Sequence, residues 1–317
     1  MGIRVGVIGV GSMGALHARV VAGHPGTDLA WVADPDGAIG QRVADRFGTR
    51  WIPEPDLGSV DAVIVAAPTQ YHFDLAMRLI DSGMPLLLEK PLADSFERSS
   101  AIVDSASRKG VPLMCGLLER FNPAVRTAAE ISEEPLRIAT MRHSPYSTRI
   151  TTGVGSDLLI HDLDLVLRLA GDYPSSAHGQ FGYFAPTSAP GSEDVAEASL
   201  KFASGHIAVL SASRTSQHKI RSLSVAERHR LIDVDLLRQS ITIYRHVDGE
   251  KFDEAAGYSQ QTIIEIPVIR FTGEPLNLQL EHFLRLLGGE IDREGELRTL
   301  LPPHQLLDEI ATSAAGV

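Results

Sequence analysis

The stretch Ile3-Arg4-Val5-Gly6-Val7-Ile8-Gly9-Val10-Gly11-Ser12-Met13-Gly14 decides the fold. An apolar, β-branched run ends at Gly9, and glycines follow at the spacing G-x-G-x-x-G. A helical pattern then runs from about Ala15 to Ala22. Each glycine has a physical reason: Gly9 permits a tight turn, Gly11 lets a pyrophosphate approach the backbone, and Gly14 lets the helix pack against the strand. The N–H groups at the helix start, around Ser12 and Met13, then hold the phosphate. Asp34 stands 20 residues after Gly14, at the end of a second strand pattern from Leu29 to Ala33. A carboxylate there accepts hydrogen bonds from ribose hydroxyls and repels a 2′-phosphate, so the pattern predicts NAD in preference to NADP. Arg42 is the nearby basic residue that opposes this preference.

Working outward, apolar runs at Ala62–Ala66, Leu86–Leu88 and Leu113–Leu117 alternate with longer helical patterns. Such alternation predicts parallel strands joined by crossover helices. Ligands bind at the carboxyl ends of such strands. Two segments lie there: Ala66-Ala67-Pro68-Thr69-Gln70-Tyr71-His72, and Leu88-Glu89-Lys90-Pro91-Leu92. Ala67, Pro68, Thr69, His72, Glu89 and Lys90 are therefore expected at the cofactor site. Glu89 and Lys90 read as an ion pair at a strand end, and His72 fits a structural histidine as well as a functional one.

Beyond Phe121 the pattern changes. A helix to about Ile131 leads to a strand from Leu136 to Arg142, a polar loop, and a helix ending near Gly171. Strand patterns then dominate: Ala196–Phe202, His206–Ser213, Ser222–Ala226, Leu231–Asp235, Ile241–Tyr244 and Thr262–Ile266, with two closing helices at Leu276–Leu287 and Leu301–Ala314. The expected architecture is α/β: an N-terminal Rossmann dinucleotide-binding domain (1–120) and a C-terminal α+β domain (121–317) with an open, mainly antiparallel sheet. With few helices left to cover that sheet, one face is expected to form a subunit interface, giving a homodimer or homotetramer.

The 317 residues carry 29 Lys and Arg against 40 Asp and Glu, a formal charge of −11 that disfavours binding to nucleic acid or anionic membrane. No apolar run has transmembrane length, and the chain opens directly into a strand pattern, so a cytoplasmic protein is expected. The single cysteine, Cys115, rules out an internal disulfide and cysteine metal clusters, and its apolar neighbours fit a buried structural thiol.

One feature of the second half asks for chemistry. In Ser156-Asp157-Leu158-Leu159-Ile160-His161-Asp162-Leu163-Asp164, a helical period puts Asp157, His161 and Asp164 on one face of an otherwise apolar stretch. Such a stripe either faces a cavity or is satisfied by partners, because unpaired burial is costly. A divalent metal held by Asp157, His161 and Asp164 is a further reading, though a dinucleotide fold already supplies a redox agent and no metal is expected.

Together, the glycine loop, Glu89-Lys90-Pro91 and Asp157 to Asp164 resemble the Gfo/Idh/MocA oxidoreductase family over essentially the whole chain. Within it, Glu119-Arg120-Phe121-Asn122-Pro123-Ala124-Val125 and Ile232-Asp233-Val234-Asp235, before a strand ending in Ile243-Tyr244, resemble the subgroup containing UDP-N-acetylglucosamine 3-dehydrogenases. The resemblance implies hydride transfer between NAD(P) and a secondary alcohol or ketone of a sugar or nucleotide sugar, with Lys90, Asp157 and His161 around the nicotinamide and the reacting carbon. Residue chemistry agrees: His161 suits proton removal, Lys90 suits a developing alkoxide, and Asp157 suits orienting the imidazole or holding a neighbouring hydroxyl. Lys90 and His161 are interchangeable at this level of detail.

Arg120, Asn122, Arg142 and Tyr146 are candidate substrate contacts, each equally compatible with a solvated surface role. A nucleotide sugar would also need basic partners for its diphosphate, for which Arg142, Arg149 and Arg214 are candidates. Leu159 departs from the family, which usually has Gly or Ala there, and its bulk bears on substrate identity. The competing readings are a non-catalytic NAD-binding regulator on the same scaffold and a dehydrogenase of a polyol such as inositol.

Overall fold

The computed structural model describes residues 2–147, 152–186, 188, 191–248 and 260–315. Two compact units emerge, one from Met1–Leu118 with Glu274–Gln305, the other from Glu119–Gly273 with Leu306–Val317.

The first unit begins with β1 (Ile3–Ile8), α1 (Ser12–Gly23), β2 (Thr27–Ala33), α2 (Gly37–Phe47), β3 (Arg50–Ile52) and β4 (Ala62–Val65). It continues with α3 (His72–Asp81), β5 (Leu86–Leu88), α4 (Phe96–Lys109) and β6 (Leu113–Cys115). The strands form one parallel sheet in the order β3-β2-β1-β4-β5-β6. That order reverses direction between β1 and β4, the switch point at which such sheets bind ligands. Val5, Val7, Val32, Val63, Ile64 and Leu86 to Leu88 are fully buried, which is why these strands read as unbroken apolar runs. The three-residue β3 carries no such signal, and its pattern does not mark it as a strand.

Residues 274–305 belong with this unit. The helix at Pro275–Leu287 packs on α1, and that at Arg293–Arg298 packs near β6. Arg293 Nη1 donates to the Gly110 carbonyl at 2.8 Å, and His304 Nε2 accepts the Leu92 N–H at 3.0 Å.

In the second unit α5 (Pro123–Ile131) precedes β7 (Arg137–His143), and a π turn (Gly155–Leu159) runs into α6 (Ile160–Ala170). The strands β8 (Ser176–Gly182), β9 (Val195–Lys201), β10 (Ile207–Ser213) and β11 (Ile220–Ala226) follow. Next come β12 (Leu231–Asp235), β13 (Ser240–Asp248) and β14 (Gln260–Glu265). The sheet order is β14-β13-β12-β11-β7-β10-β9-β8, antiparallel except where β10 runs parallel to β7. Strand β8 was not expected from the sequence, a stretch with two glycines and little β preference. Gly179 on it leaves room for Ile310, since a Cβ there would stand 2.4 Å from the Ile310 side chain.

Period-two alternation sorts this sheet's faces. Ile138, Ala208, Leu210, Leu223 and Ile232 point into a core shared with Leu159, Leu163 and Val166 of the π turn and α6. Arg137, Met141, Glu197, Ile207, Leu231 and Asp233 are exposed on the other face. Among the described residues no helix is long and apolar enough to cross a membrane.

Candidate active site

At the first unit's switch point, Gly9 adopts φ +79°, and a Cβ on it would lie 2.6 Å from the Ala67 backbone. Both facts require glycine in this turn. A Cβ on Gly14 would stand 1.8 Å from the Gly9 carbonyl, whereas one on Gly11 would meet nothing within 4 Å. The loop is therefore tight on its protein side and open where a phosphate would approach. No side chain caps α1, so the amides of its first turn, at Ser12, Met13 and Gly14, present the helix's positive end. Asp34 is already oriented, its Oδ2 accepting the Val10 N–H at 2.8 Å and its Oδ1 the Asp36 N–H at 2.9 Å. A cavity of about 790 Å³ follows this edge, lined by Gly9, Gly11, Ser12, Asp34, Ala67 and Pro68 together with Glu54, Asp74 and Arg78. An open glycine loop, a ribose-ready carboxylate and a cavity of this size fit NAD, while three acids on the lining disfavour an added phosphate. Thr69 opens the short 3₁₀ turn Thr69–Tyr71 that follows Pro68.

The buried Glu89 carboxylate meets buried His17, with Nε2 to Oε1 at 2.8 Å, and accepts the Lys90 backbone N–H at 3.2 Å. Burial alone would raise Glu89, but the hydrogen bond and charge of His17, with Lys90 near, hold it below the usual carboxylate range. Lys90 is partly exposed, and its bond to Pro91 is cis. His72 is 1% exposed, with Nδ1 2.8 Å from the Pro91 carbonyl and Nε2 2.8 Å from the Ala67 carbonyl. Burial pushes its pKa down although both carbonyls favour a ring proton. His72 thus ties together the loops after β4 and β5.

In the second unit the helical stretch departs from the expected geometry. Asp157 lies in a π turn, where the Ile160 N–H reaches back five residues to the Gly155 carbonyl, and the regular helix starts only at Ile160. A single 3.6-residue wheel therefore does not describe Asp157 through Asp164. π turns are uncommon and concentrate at functional sites. Asp164 leaves the stripe altogether: it is buried and paired with Arg120, whose Nε and Nη2 lie 2.8 and 2.7 Å from its oxygens. Asp162 is buried as well, with Arg142 Nε and Nη2 at 2.9 and 2.7 Å from Oδ1. Burial works against the Arg142 charge, but Asp162 and Glu119 outweigh it and hold the guanidinium protonated. Asp157 keeps 26% of its side chain exposed, and Arg214 Nη2 lies 2.9 Å from its Oδ2. His161 is partly exposed one helical turn on. Among the described residues no cluster of three His, Cys, Asp or Glu side chains is placed to hold a metal ion.

The remaining candidates divide. Arg120 and Arg142 are committed to carboxylates. Asn122 is 2% exposed, caps α5 through the Ala124 N–H at 3.1 Å, and donates to the Leu236 carbonyl at 3.1 Å. Tyr146 is 48% exposed and lines a cavity of about 460 Å³ with Phe184, Asp194, Arg214, Ser216 and Gln217. Arg149 lies outside the described residues. Leu159 is fully buried in the core, so its bulk fills the interior. His17, Asp162 and Glu193 are structurally central, yet no sequence motif singles them out. Each acts through a partner at least 20 residues away, and no local pattern marks it.

Two family profiles match the chain in order. The first, described as the oxidoreductase family with an NAD-binding Rossmann fold, covers residues 3–117; the second, the GFO/IDH/MocA C-terminal domain, covers 136–230. UDP-N-acetylglucosamine 3-dehydrogenase of Acidithiobacillus ferrooxidans is 32% identical over 78% of each chain. The scyllo-inositol 2-dehydrogenase (NAD⁺) of Bacillus subtilis is 30% identical over 79% of each. A solved structure of the Acidithiobacillus enzyme superposes with a TM-score of 0.84 at 27% identity, covering 99% of both chains. With both domains matched in order and relatives at 30% identity or more spanning most of the length, the chain belongs to the GFO/IDH/MocA family of NAD-dependent oxidoreductases.

Proposed function

We propose that the protein oxidises a secondary alcohol of a nucleotide sugar to the ketone, with Lys90, Asp157 and His161 carrying the chemistry. The observation that supports this most is the sorting of exposure between Asp157 and Asp164: Asp162 and Asp164 are buried against arginines, while Asp157, which meets Arg214, and His161 stay partly exposed. Bound NAD supplies a hydride acceptor at its nicotinamide ring. His161 takes the hydroxyl proton as the carbonyl forms, a role suited to a side chain whose ordinary pKa is about 6.5. Lys90 offsets negative charge growing on the oxygen, and Asp157, which meets Arg214, accepts hydrogen bonds from the imidazole or a neighbouring sugar hydroxyl.

A nucleotide sugar is favoured over a free polyol by the cavity behind Arg214. Its aromatic edges, Tyr146 and Phe184, and its polar side chains, Ser216 and Gln217, suit a substituent larger than a single ring. Arg120, Arg142 and Asn122 act as framework. The exposed face of the second sheet, with Met141, Ile207 and Leu231, is read as the surface on which copies of the chain associate, and the site of action as the cytoplasm.

NADH formation measured across UDP- and dTDP-sugars, free sugars, inositols and sugar acids tests the reading. Turnover of a nucleotide sugar is expected. Turnover of an inositol alone would transfer the chemistry to polyols, and failure on the whole panel would remove the assignment.

A further inference from the structure

Asp157 is held from two sides by residues that no motif contains. Glu193, 4% exposed, reaches the start of the π turn, where its Oε1 accepts the Gly155 N–H at 2.7 Å. Its own backbone carbonyl accepts the Val154 N–H at 3.0 Å, and the Gly191 carbonyl accepts the Gly153 N–H at 2.9 Å. Cβ atoms on Gly153 or Gly155 would stand 2.2 and 2.9 Å from the Glu193 carboxylate, so the two glycines make this approach possible. One residue on, the Asp194 carbonyl accepts the Arg214 N–H at 2.8 Å. Arg214 is 3% exposed, its Nη1 donating to the Thr152 carbonyl and its Nη2 meeting Asp157. The short segment 191–194 thus holds both the backbone leading to Asp157 and the backbone of Arg214, whose guanidinium meets that carboxylate.

Physical reasons make this more than packing. π turns are rare and frequent at functional sites, and this one, which leads into α6, has an outside partner on its first residue. A buried glutamate is costly unless it is satisfied, and here it meets amide hydrogen at the positive end of a helix. Arg214, buried and bonded at both ends of its guanidinium, limits the rotamers of the neighbouring carboxylate.

We propose that Glu193 and Arg214 are positioning residues for Asp157: Glu193 sets the π register, and Arg214 sets the orientation of the carboxylate. The assignment rests on reading Asp157 and His161 as the working residues. Without Glu193 the turn relaxes toward α-helical register, and Asp157 takes a new azimuth relative to His161.

The test pairs removals with conservative changes in the full chain: Glu193→Ala against Glu193→Gln, which keeps an acceptor for Gly155, and Arg214→Gln against Arg214→Lys, which keeps the charge. For the panel member that the wild type oxidises, the single-turnover rate of NADH formation per NAD-binding site should fall at least about tenfold in both removals, as expected for misplacement near 1 Å. NAD stoichiometry should hold, and the conservative variants should recover most of the loss. A fall in stoichiometry at unchanged rate per site, or conservative variants no better than removals, would overturn the proposal in favour of a purely structural role. Amide hydrogen exchange over residues 155–160, which needs no substrate, should quicken in Glu193→Ala and not in Glu193→Gln. If the wild type oxidises nothing in the panel, the functional reading fails, and exchange unchanged by Glu193→Ala overturns the positioning role by itself.

Discussion

His17 and Glu89 form a buried pair, Nε2 to Oε1 at 2.8 Å, with side chains 4% and 8% exposed. It links helix α1, which follows the glycine loop, to the residue before Lys90. His17→Ala should lower unfolding stability by about 3 kcal/mol, because it strands a buried carboxylate. The pH dependence has a definite sign. Glu89 is held below the usual carboxylate range, so its contribution is present above the unfolded value of about 4.3 and lost as pH falls through the lower folded value. In His17→Ala burial is less opposed and the Glu89 pKa rises, so the stability that acid removes through this group should shrink. Urea unfolding of both proteins between pH 3 and 7 checks this, and matching pH profiles would contradict it.

Asp34→Ala should weaken NAD by about ten- to a hundredfold, the worth of hydrogen bonds to a charged acceptor, and weaken NADP much less. Titration with both cofactors measures the ratio. Because Asp34 also anchors Val10 and Asp36, some loss common to both cofactors is expected, but equal loss would remove its ribose role.

Leu159→Ala should destabilise the protein by about 2–5 kcal/mol through a core cavity, and leave the order of preference across the substrate panel unchanged. Full burial among core residues is the reason. A changed preference at intact stability would return Leu159 to the cavity wall.

The legible parts of this fold are those governed by local pattern. The parallel strands at Ile3–Ile8 and Leu86–Leu88 show as apolar runs because both faces are covered, and Gly9, Gly14 and Asp34 are tied to a turn with strict steric needs. Strand β3 is too short to carry a period, and β8 has glycine where Ile310 packs. The π turn was out of reach because its cause is a carboxylate 38 residues away. The same distance effect turned Arg120 and Arg142 from expected substrate contacts into the partners of Asp164 and Asp162.

The most direct test of the account is His161→Ala, followed by single-turnover NADH absorbance on the substrate that the wild type oxidises, with NAD affinity measured on the same preparation. NADH formation should fall by about 10²–10⁴, the usual worth of a positioned acid–base group, while NAD affinity stays within about twofold, since the cradle lined by Gly9, Gly11 and Asp34 does not include His161. Hydride transfer at the wild-type rate in this variant would contradict the central claim.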